Sequence, residues 1–216
     1  MIRRTLLAAV LLSGLVSLSP AIARAATGVV DTSGPAELIR TASEVMLKDL
    51  ETNRSAYRKD PAQLYKLVDD ILLPNFDVNF AAQQVLGKHW RTADAAQRER
   101  FVKAFYRSLL HTYGDALIDF TNDRIRFLPY QGEASAARAT VRTEIRRDGG
   151  SSIKVNYSLR KTEAGWKAWD VVIEGISYVK SFQEDFAAEL DTKGLDALTQ
   201  RLETAGGAAV RPARRG

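Results

Sequence analysis

Residues 166–186 read WKAWDVVIEGISYVKSFQEDF, and two periodicities meet inside them. Trp169, Val171 and Ile173 alternate with Asp170, Val172 and Glu174, the two-residue period of a strand with one apolar face. Gly175 breaks that strand, and Ser177 is placed to cap a helix. Tyr178, Val179, Phe182 and Phe186 then recur at helical spacing. One segment therefore supplies the last strand of a sheet and sends a helix back towards that sheet.

The residues just upstream supply the rest of the sheet. Strands are predicted over 125–130, 136–147 and 151–162, with the fourth starting at Trp166. Val141 and Ile145 oppose Arg142, Glu144 and Arg146, while Ile153, Val155, Tyr157 and Leu159 oppose Lys154, Asn156, Ser158 and Arg160. Asp148-Gly149-Gly150 is a hairpin turn, and Ala164-Gly165 makes the next one. The pattern predicts a one-sided antiparallel meander of about four strands, its wet face exposed and its dry face under helices. The fold class is α+β.

Helices fill the N-terminal half. One starts near Pro35 and runs towards Tyr57 on a stripe of Leu38, Ile39, Ala42, Val45 and Met46. Asp60-Pro61-Ala62-Gln63 opens a second, which carries Leu64, Leu67, Val68, Ile71 and Leu72 and stops before Pro74. A short third helix over 78–86 ends at Gly87. Thr92 is read as the cap of the longest helix, from Ala93 to about Phe120. Its stripe is Phe101, Val102, Phe105, Leu109, Leu110, Tyr113 and Leu117, and Gly114 marks a bend or break. A last helix runs to about Leu202 with a break at Gly194.

Residues 1–25 have the form of a cleavable export signal: Arg3 and Arg4, an apolar stretch from Leu6 to Leu18, then Ala23-Arg24-Ala25. The apolar stretch is too short to span a bilayer. Export through the general secretory route is expected, leaving a single domain over 26–204 and a disordered basic tail over 205–216. Formal charge is +5 for the whole chain; without Arg3, Arg4 and Arg24 it falls to +2, from 28 basic against 26 acidic residues. Without the arginines of the tail it is −1, from 25 against 26. Such a balance gives no basic face of the kind nucleic acid requires. Cysteine is absent, which excludes disulfides, thiol catalysis and thiolate metal sites.

Little in the sequence points to catalysis. His89 and His111 stand apart, without metal-ligand spacing or acidic neighbours at such spacing. There is no nucleophile elbow and no phosphate-binding glycine loop. Asp170 and Glu174 share one strand face but lie roughly 13 Å apart along it, beyond the spacings glycosidases use. They are expected to pair across strands with Arg142, Arg146 and Lys154. Asn53-Arg54-Ser55 and Asn156-Tyr157-Ser158 match a glycosylation triplet by chance. What remains is apolar surface on helices and strands, either a filled core or the lining of a cavity.

Two signatures decide between these. Asn75-Phe76-Asp77, Val85-Leu86-Gly87, Trp90, Gln97-Arg98, Phe101, Phe105, Leu109-Leu110 and Thr112-Tyr113 form the first. Trp166-Lys167, Asp170-Val171, Ile173-Glu174-Gly175-Ile176-Ser177, Val179 and Phe186 form the second. Their order and spacing resemble the MlaC family, also called the toluene-tolerance or Tgt2-like auxiliary family. Trp169 stands where that family often has Tyr, and the tail after Ala205 is particular to this chain.

The resemblance implies a periplasmic phospholipid carrier that maintains outer-membrane lipid asymmetry. It implies two protein partners, an outer-membrane lipoprotein–porin complex and an inner-membrane ABC transporter with a ring of MCE domains. It also implies a curved, NTF2-like sheet that holds acyl chains under its helices, no cofactor besides phospholipid as cargo, no nucleic acid and a monomer. Val141, Ile145, Val155, Tyr157, Val171 and Ile173 are then expected to line the pocket from the sheet. Phe101, Phe105, Leu109 and Leu117 would line it from the long helix. Two other readings of the same residues stay open. One is an NTF2-like isomerase or dehydratase using Tyr157 as donor; the other is a periplasmic adaptor with a solid core.

Overall fold

The computed structural model describes residues 28–118, 124–133, 135–147 and 149–204. The expected export signal, the basic tail, Phe120 and the first residue of the Asp148 turn lie outside them. Five helices come first: α1 (Pro35–Lys59), α2 (Pro61–Asn75), α3 (Val78–Leu86), α4 (Lys88–Thr92) and α5 (Ala95–Leu117). The sheet follows as β1 (Ile125–Phe127), β2 (Arg138–Arg146), β3 (Ser152–Thr162), β4 (Gly165–Ile173) and β5 (Ile176–Ser177), and α6 (Tyr178–Thr204) closes the chain. The class is α+β, with one open antiparallel sheet of five strands in the order β1-β2-β3-β4-β5.

Short polar residues fix most helix starts. Asp60 accepts from the Ala62 N–H at 3.1 Å and from the Gln63 amide at 3.0 Å, opening α2 as expected. Asp77 accepts from the Phe80 N–H at 3.0 Å, and Gly87, at φ +53°, ends α3. The start of α5 differs from expectation. The Thr92 hydroxyl donates to the His89 carbonyl and closes the short α4 instead. Asp94 and Gln97 cap α5 reciprocally, with Gln97 N–H to Asp94 at 2.8 Å and Asp94 N–H to Gln97 at 3.1 Å. Helix α2 runs one residue past Pro74, where the Asn75 side chain donates to the Ile71 carbonyl at 2.7 Å. Gly114 does not break α5, which continues to Leu117. It lets Tyr65 of α2 approach so closely that a Cβ there would lie 2.9 Å from the ring. The break at Gly194 (φ 81°, ψ 174°) is present within α6.

The register confirms the alternation in β2 and β3: Val141 pairs with Tyr157, Thr143 with Val155 and Ile145 with Ile153, all on one face. In β4 it fails at one point. Leu159 pairs with Ala168 and Ser158 with Asp170, so Trp169 is an extra residue. The bulge turns Trp169 away from Val171 and Ile173, and its ring packs edge-on against Phe80 of α3, with centroids 5.2 Å apart. The sheet is therefore not dry on one side only, because α3 and the start of α6 cover the second face near β4. Glu174 and Gly175, both at positive φ, turn the chain back into β5 before the helix begins.

Apolar burial is divided into three cores. The helical core joins α3, α5 and α6 around Phe101, Phe105, Phe182 and Phe186. The sheet core holds Leu38 and Ile39 of α1 against Val141, Leu159, Trp166 and Ala168. A third core joins α1, α2 and the end of α5 through Leu47, Leu50, Leu64, Val68 and Ile118.

Candidate functional site

The six sheet residues expected to line a pocket do come together. Val141, Tyr157 and Val171 form one cross-strand row, Val155 and Ile173 are paired beside it, and Ile145 lies on the same face of β2. Their environments differ along the sheet. Val141 is sealed in the sheet core under α1, and Tyr157 packs at that core's edge. Val155 and its neighbour Thr143 are buried at 4 % and 1 % exposure, yet neither belongs to any of the three cores. Ile145, Val171 and Ile173 are half-buried.

The four residues from α5 are not brought to that face as a group. Phe101 and Phe105 stack at 5.7 Å inside the helical core, where Phe105 also meets Phe182 edge-on at 5.4 Å. Leu109 packs at the margin of the helical core, beside Tyr113, and Leu117 at the margin of the α1/α2 core. Helix α5 packs mainly on α6, α3 and α2, whereas α1 packs on β2 and β4. The half-buried side chains of α5 thus lie at core margins, whereas Ile145, Val171 and Ile173 stay half-buried on the sheet face outside all three cores. That stretch of sheet face is an apolar seam.

Polar groups at the seam serve structure. The Thr143 hydroxyl donates to the Val155 carbonyl at 2.9 Å. Burial pushes the Tyr157 phenol above its ordinary pKa, partly offset by its hydrogen bond with Thr143. The cross-strand neighbours of Tyr157 are Val141 and Val171, and the carboxylate of β4, Asp170, is paired with Ser158 on the other face. A Tyr–acid pair of the kind an isomerase needs is not assembled by these strands.

Asp170 itself corrects an expectation. It makes no cross-strand ion pair; it is buried at 3 % exposure and accepts from the Ser177 hydroxyl at 2.7 Å and the Val179 N–H at 3.0 Å. Ser177 in turn accepts from the Lys180 N–H at 3.0 Å. Asp170 thereby ties β4 to the start of α6, where the helix dipole also favours a carboxylate. Glu174 accepts from the backbone N–H of Lys154 rather than from a cation. The bulge explains both outcomes, since it redirects β4 after Trp169.

Among the clefts that open on the surface of the described residues, two are prominent, and none of the ten expected residues borders either. The first cleft, about 310 Å³, lies among Leu73, Phe76, Asp77, Val78, Asn79, Val102, Lys103, Tyr106 and Lys167. The second, about 210 Å³, lies among Arg138, Ala139, Thr140, Ser158, Leu159 and Trp169. Phe76 gains a place that the sequence pattern alone did not give it. It packs against both the helical and the sheet core and bridges in parallel to Ala168 at the outer edge of β4. The adjoining Asp77 is held by Arg160 at 2.6 Å, and the Arg160 guanidinium lies 4.4 Å over the Phe80 ring. The Asp77-x-x-Phe80 cap was the readable signal for this corner.

His89 meets Asp191 at 3.1 Å beside Lys88, joining α4 to α6; the Lys88 ammonium holds the Asp191 carboxyl below its ordinary value. Among the described residues no cluster of His, Cys, Asp and Glu could hold a metal, and no helix is long and apolar enough to cross a membrane.

Known proteins resemble this chain in sequence and fold. The family described as MlaC protein matches residues 40–204. The toluene tolerance protein ttg2D of Pseudomonas putida is 29 % identical over 163 residues, 75 % of either chain. The intermembrane phospholipid transport system binding protein MlaC of Haemophilus influenzae is 27 % identical over 180 residues, 82 % of this chain and 84 % of that one. A phospholipid-binding protein from Ralstonia solanacearum, solved in complex with a phospholipid, superposes with a TM-score of 0.73 at 22 % identity, covering 80 % of this chain and 97 % of its own.

Proposed function

The chain belongs to the MlaC family, and on that premise we propose that it is a periplasmic phospholipid carrier moving lipid between the outer and inner membranes. The observation that carries this reading is the seam: an apolar sheet face whose Val171, Ile173 and Ile145 stay half-buried and belong to none of the three cores. A filled core would have buried them. The names of the Haemophilus relative and the Ralstonia protein, which refer to phospholipid transport and binding, support the same ligand.

Physical chemistry makes a carrier necessary. Two acyl chains with about 30 methylenes cost on the order of 24 kcal/mol to expose to water, at about 0.8 kcal/mol each. Spontaneous crossing of an aqueous gap is then negligible, and a dry seam removes the cost without any covalent step. If a methylene fills about the 30 Å³ of a water molecule, the two chains need roughly 900 Å³. Neither of the two clefts offers that volume, so on this reading the seam opens to admit the chains. Export, exchange with an outer-membrane lipoprotein–porin complex and with an MCE-ring ABC transporter, and the absence of catalysis belong to this reading.

Native mass spectrometry of the purified exported protein, with organic extraction of bound material, tests it. A stoichiometric phospholipid is expected. A bare protein mass that takes up no labelled lipid from liposomes would overturn the proposal.

A further inference from the structure

The sheet face turned away from the seam is cationic over β1, β2 and β3. Alternation places Arg126, Arg138, Arg142, Arg146 and Lys154 on it, and Glu144 among them is engaged by Arg126 at 3.6 Å. Asp170, paired with Ser158 from β4, is buried under the start of α6 and held there by Ser177 and the Val179 N–H. Residues 26–204 as a whole carry 25 basic against 26 acidic side chains, so the charge of this face is a local concentration. Near β4 the face is closed by α3, where Phe80 meets Trp169. The second cleft, about 210 Å³, lies between the closed and the open parts. Half-buried Trp169 forms one wall, and Arg138, Thr140 and Ser158 form the other. Thr140 and Ser158 are cross-strand partners, which sets their hydroxyls side by side next to Arg138. Arg138 is exposed and pairs with no carboxylate among the described residues. Arg142, further along the same strand face, is steadied by Gln131 at 2.7 Å.

We propose that this face docks an acidic segment of a partner protein, and that the cleft receives one Asp or Glu side chain of that segment. The Arg138 guanidinium is the counter-charge, the two hydroxyls donate to the carboxylate, and the Trp169 ring lies against its methylenes. The cleft holds roughly seven groups of water size. That suits a carboxylate on a short stem and is too small for a nucleotide. An anionic membrane is a poorer occupant, because lying on a bilayer takes exposed apolar side chains beside the cations. The exposed large apolar residues, Val29, Leu73 and Ile176, belong to none of the strands β1, β2 and β3. Arginine and tryptophan are also the side chains that most often dominate the energy of protein interfaces. Because the face lies across the sheet from the seam, the inference stands apart from the carrier reading.

Fluorescence polarisation of a labelled hexaglutamate peptide at low salt, with the purified exported protein and its variants, tests the proposal. Arg138→Gln is expected to weaken binding about tenfold, the scale of one lost charge-assisted hydrogen bond. Thr140→Ala, which leaves the charge unchanged, should lose about fivefold. Lys66→Gln removes an equal charge from the exposed surface of α2 and should stay within about twofold of wild type. Thermal unfolding of R138Q and T140A, expected at the wild-type midpoint, checks that the fold is kept. Equal losses for R138Q and K66Q would reduce the attraction to net charge and overturn the site. Equal binding by wild type and R138Q would overturn it too, as would a wild type that binds no hexaglutamate. Arg138-dependent cosedimentation with phosphatidylglycerol vesicles, without peptide binding, would assign the face to a membrane and overturn the proposal as well. Co-purified phospholipid decides the carrier reading separately and leaves this result as it is.

Discussion

The helical core and the covered face of the sheet are built from the same kinds of residue, but they are packed differently. In the first, four phenylalanines from α5 and α6 interlock in stacked and edge-on contacts, with Phe101 and Phe105 fully buried. In the second, Val171, Ile173 and Ile145 lie outside the three cores and remain half-buried. Helices that cross one another can bury a stripe completely, whereas a curved sheet is covered only where a helix lies on it. Here α1 covers the part around Val141 and Leu159. Ile145, Val171 and Ile173, on the rest of the face, stay half-buried.

This contrast is open to direct test, and the largest effect is expected in the helical core. Phe105→Ala should cost about 3–5 kcal/mol of stability, the range for truncating a buried aromatic, read by denaturant unfolding. A loss well below that would mean that the helical core is as loose as the seam. Next comes the tie between the two regions. Asp170→Asn keeps the shape but weakens a charged acceptor for the Val179 N–H and Ser177 hydroxyl, and should cost about 1–3 kcal/mol. Hydrogen exchange should quicken at the start of α6 before it does in β2 and β3; uniform quickening would deny Asp170 this linking role.

A smaller effect depends on pH. Burial, then the hydrogen bond to Asp69, raises the Tyr106 phenol above its ordinary value of 10.0. The neutral phenol is therefore the form that folding favours. Its contribution is complete below pH 10 and is lost as pH climbs towards the raised folded-state value. Tyr106→Phe should flatten the fall in stability that begins above pH 10, and an unchanged slope would show that the α2–α5 contact does not depend on the phenol. The smallest effect on stability is expected at the seam. Val171→Arg should leave the unfolding midpoint within about 1 kcal/mol of wild type, because the longer side chain can reach water, while lipid no longer co-purifies. A destabilisation as large as that of F105A would make this face a filled core, and retained lipid would remove Val171 from the lining.

Much of this architecture was readable from local chemistry. The strand alternation from Val141 to Leu159, the Asp60-Pro61 start, Gly87 as a helix end and the break at Gly194 all depend on neighbouring residues, and the structure has them where the sequence puts them. The candidate site was readable in part. The six sheet residues share a face because alternation forces them to, but the helical stripe of α5 does not face them as a unit. Its first half, around Phe101 and Phe105, packs into α6, and only its later turns reach the borders. Helical periodicity states that a face is buried without naming its partner.

The sequence by itself determined the α+β class, the order of elements, the amphipathic faces and the kinship to MlaC proteins, because period, caps, turns and signatures are written within short stretches of chain. Tertiary structure alone decided the bulge at Trp169, the burial of Asp170 against α6 and the division into three cores. Each of these depends on which segments meet across long separations in sequence, and a pairing shift of one residue exchanges the two faces of a strand.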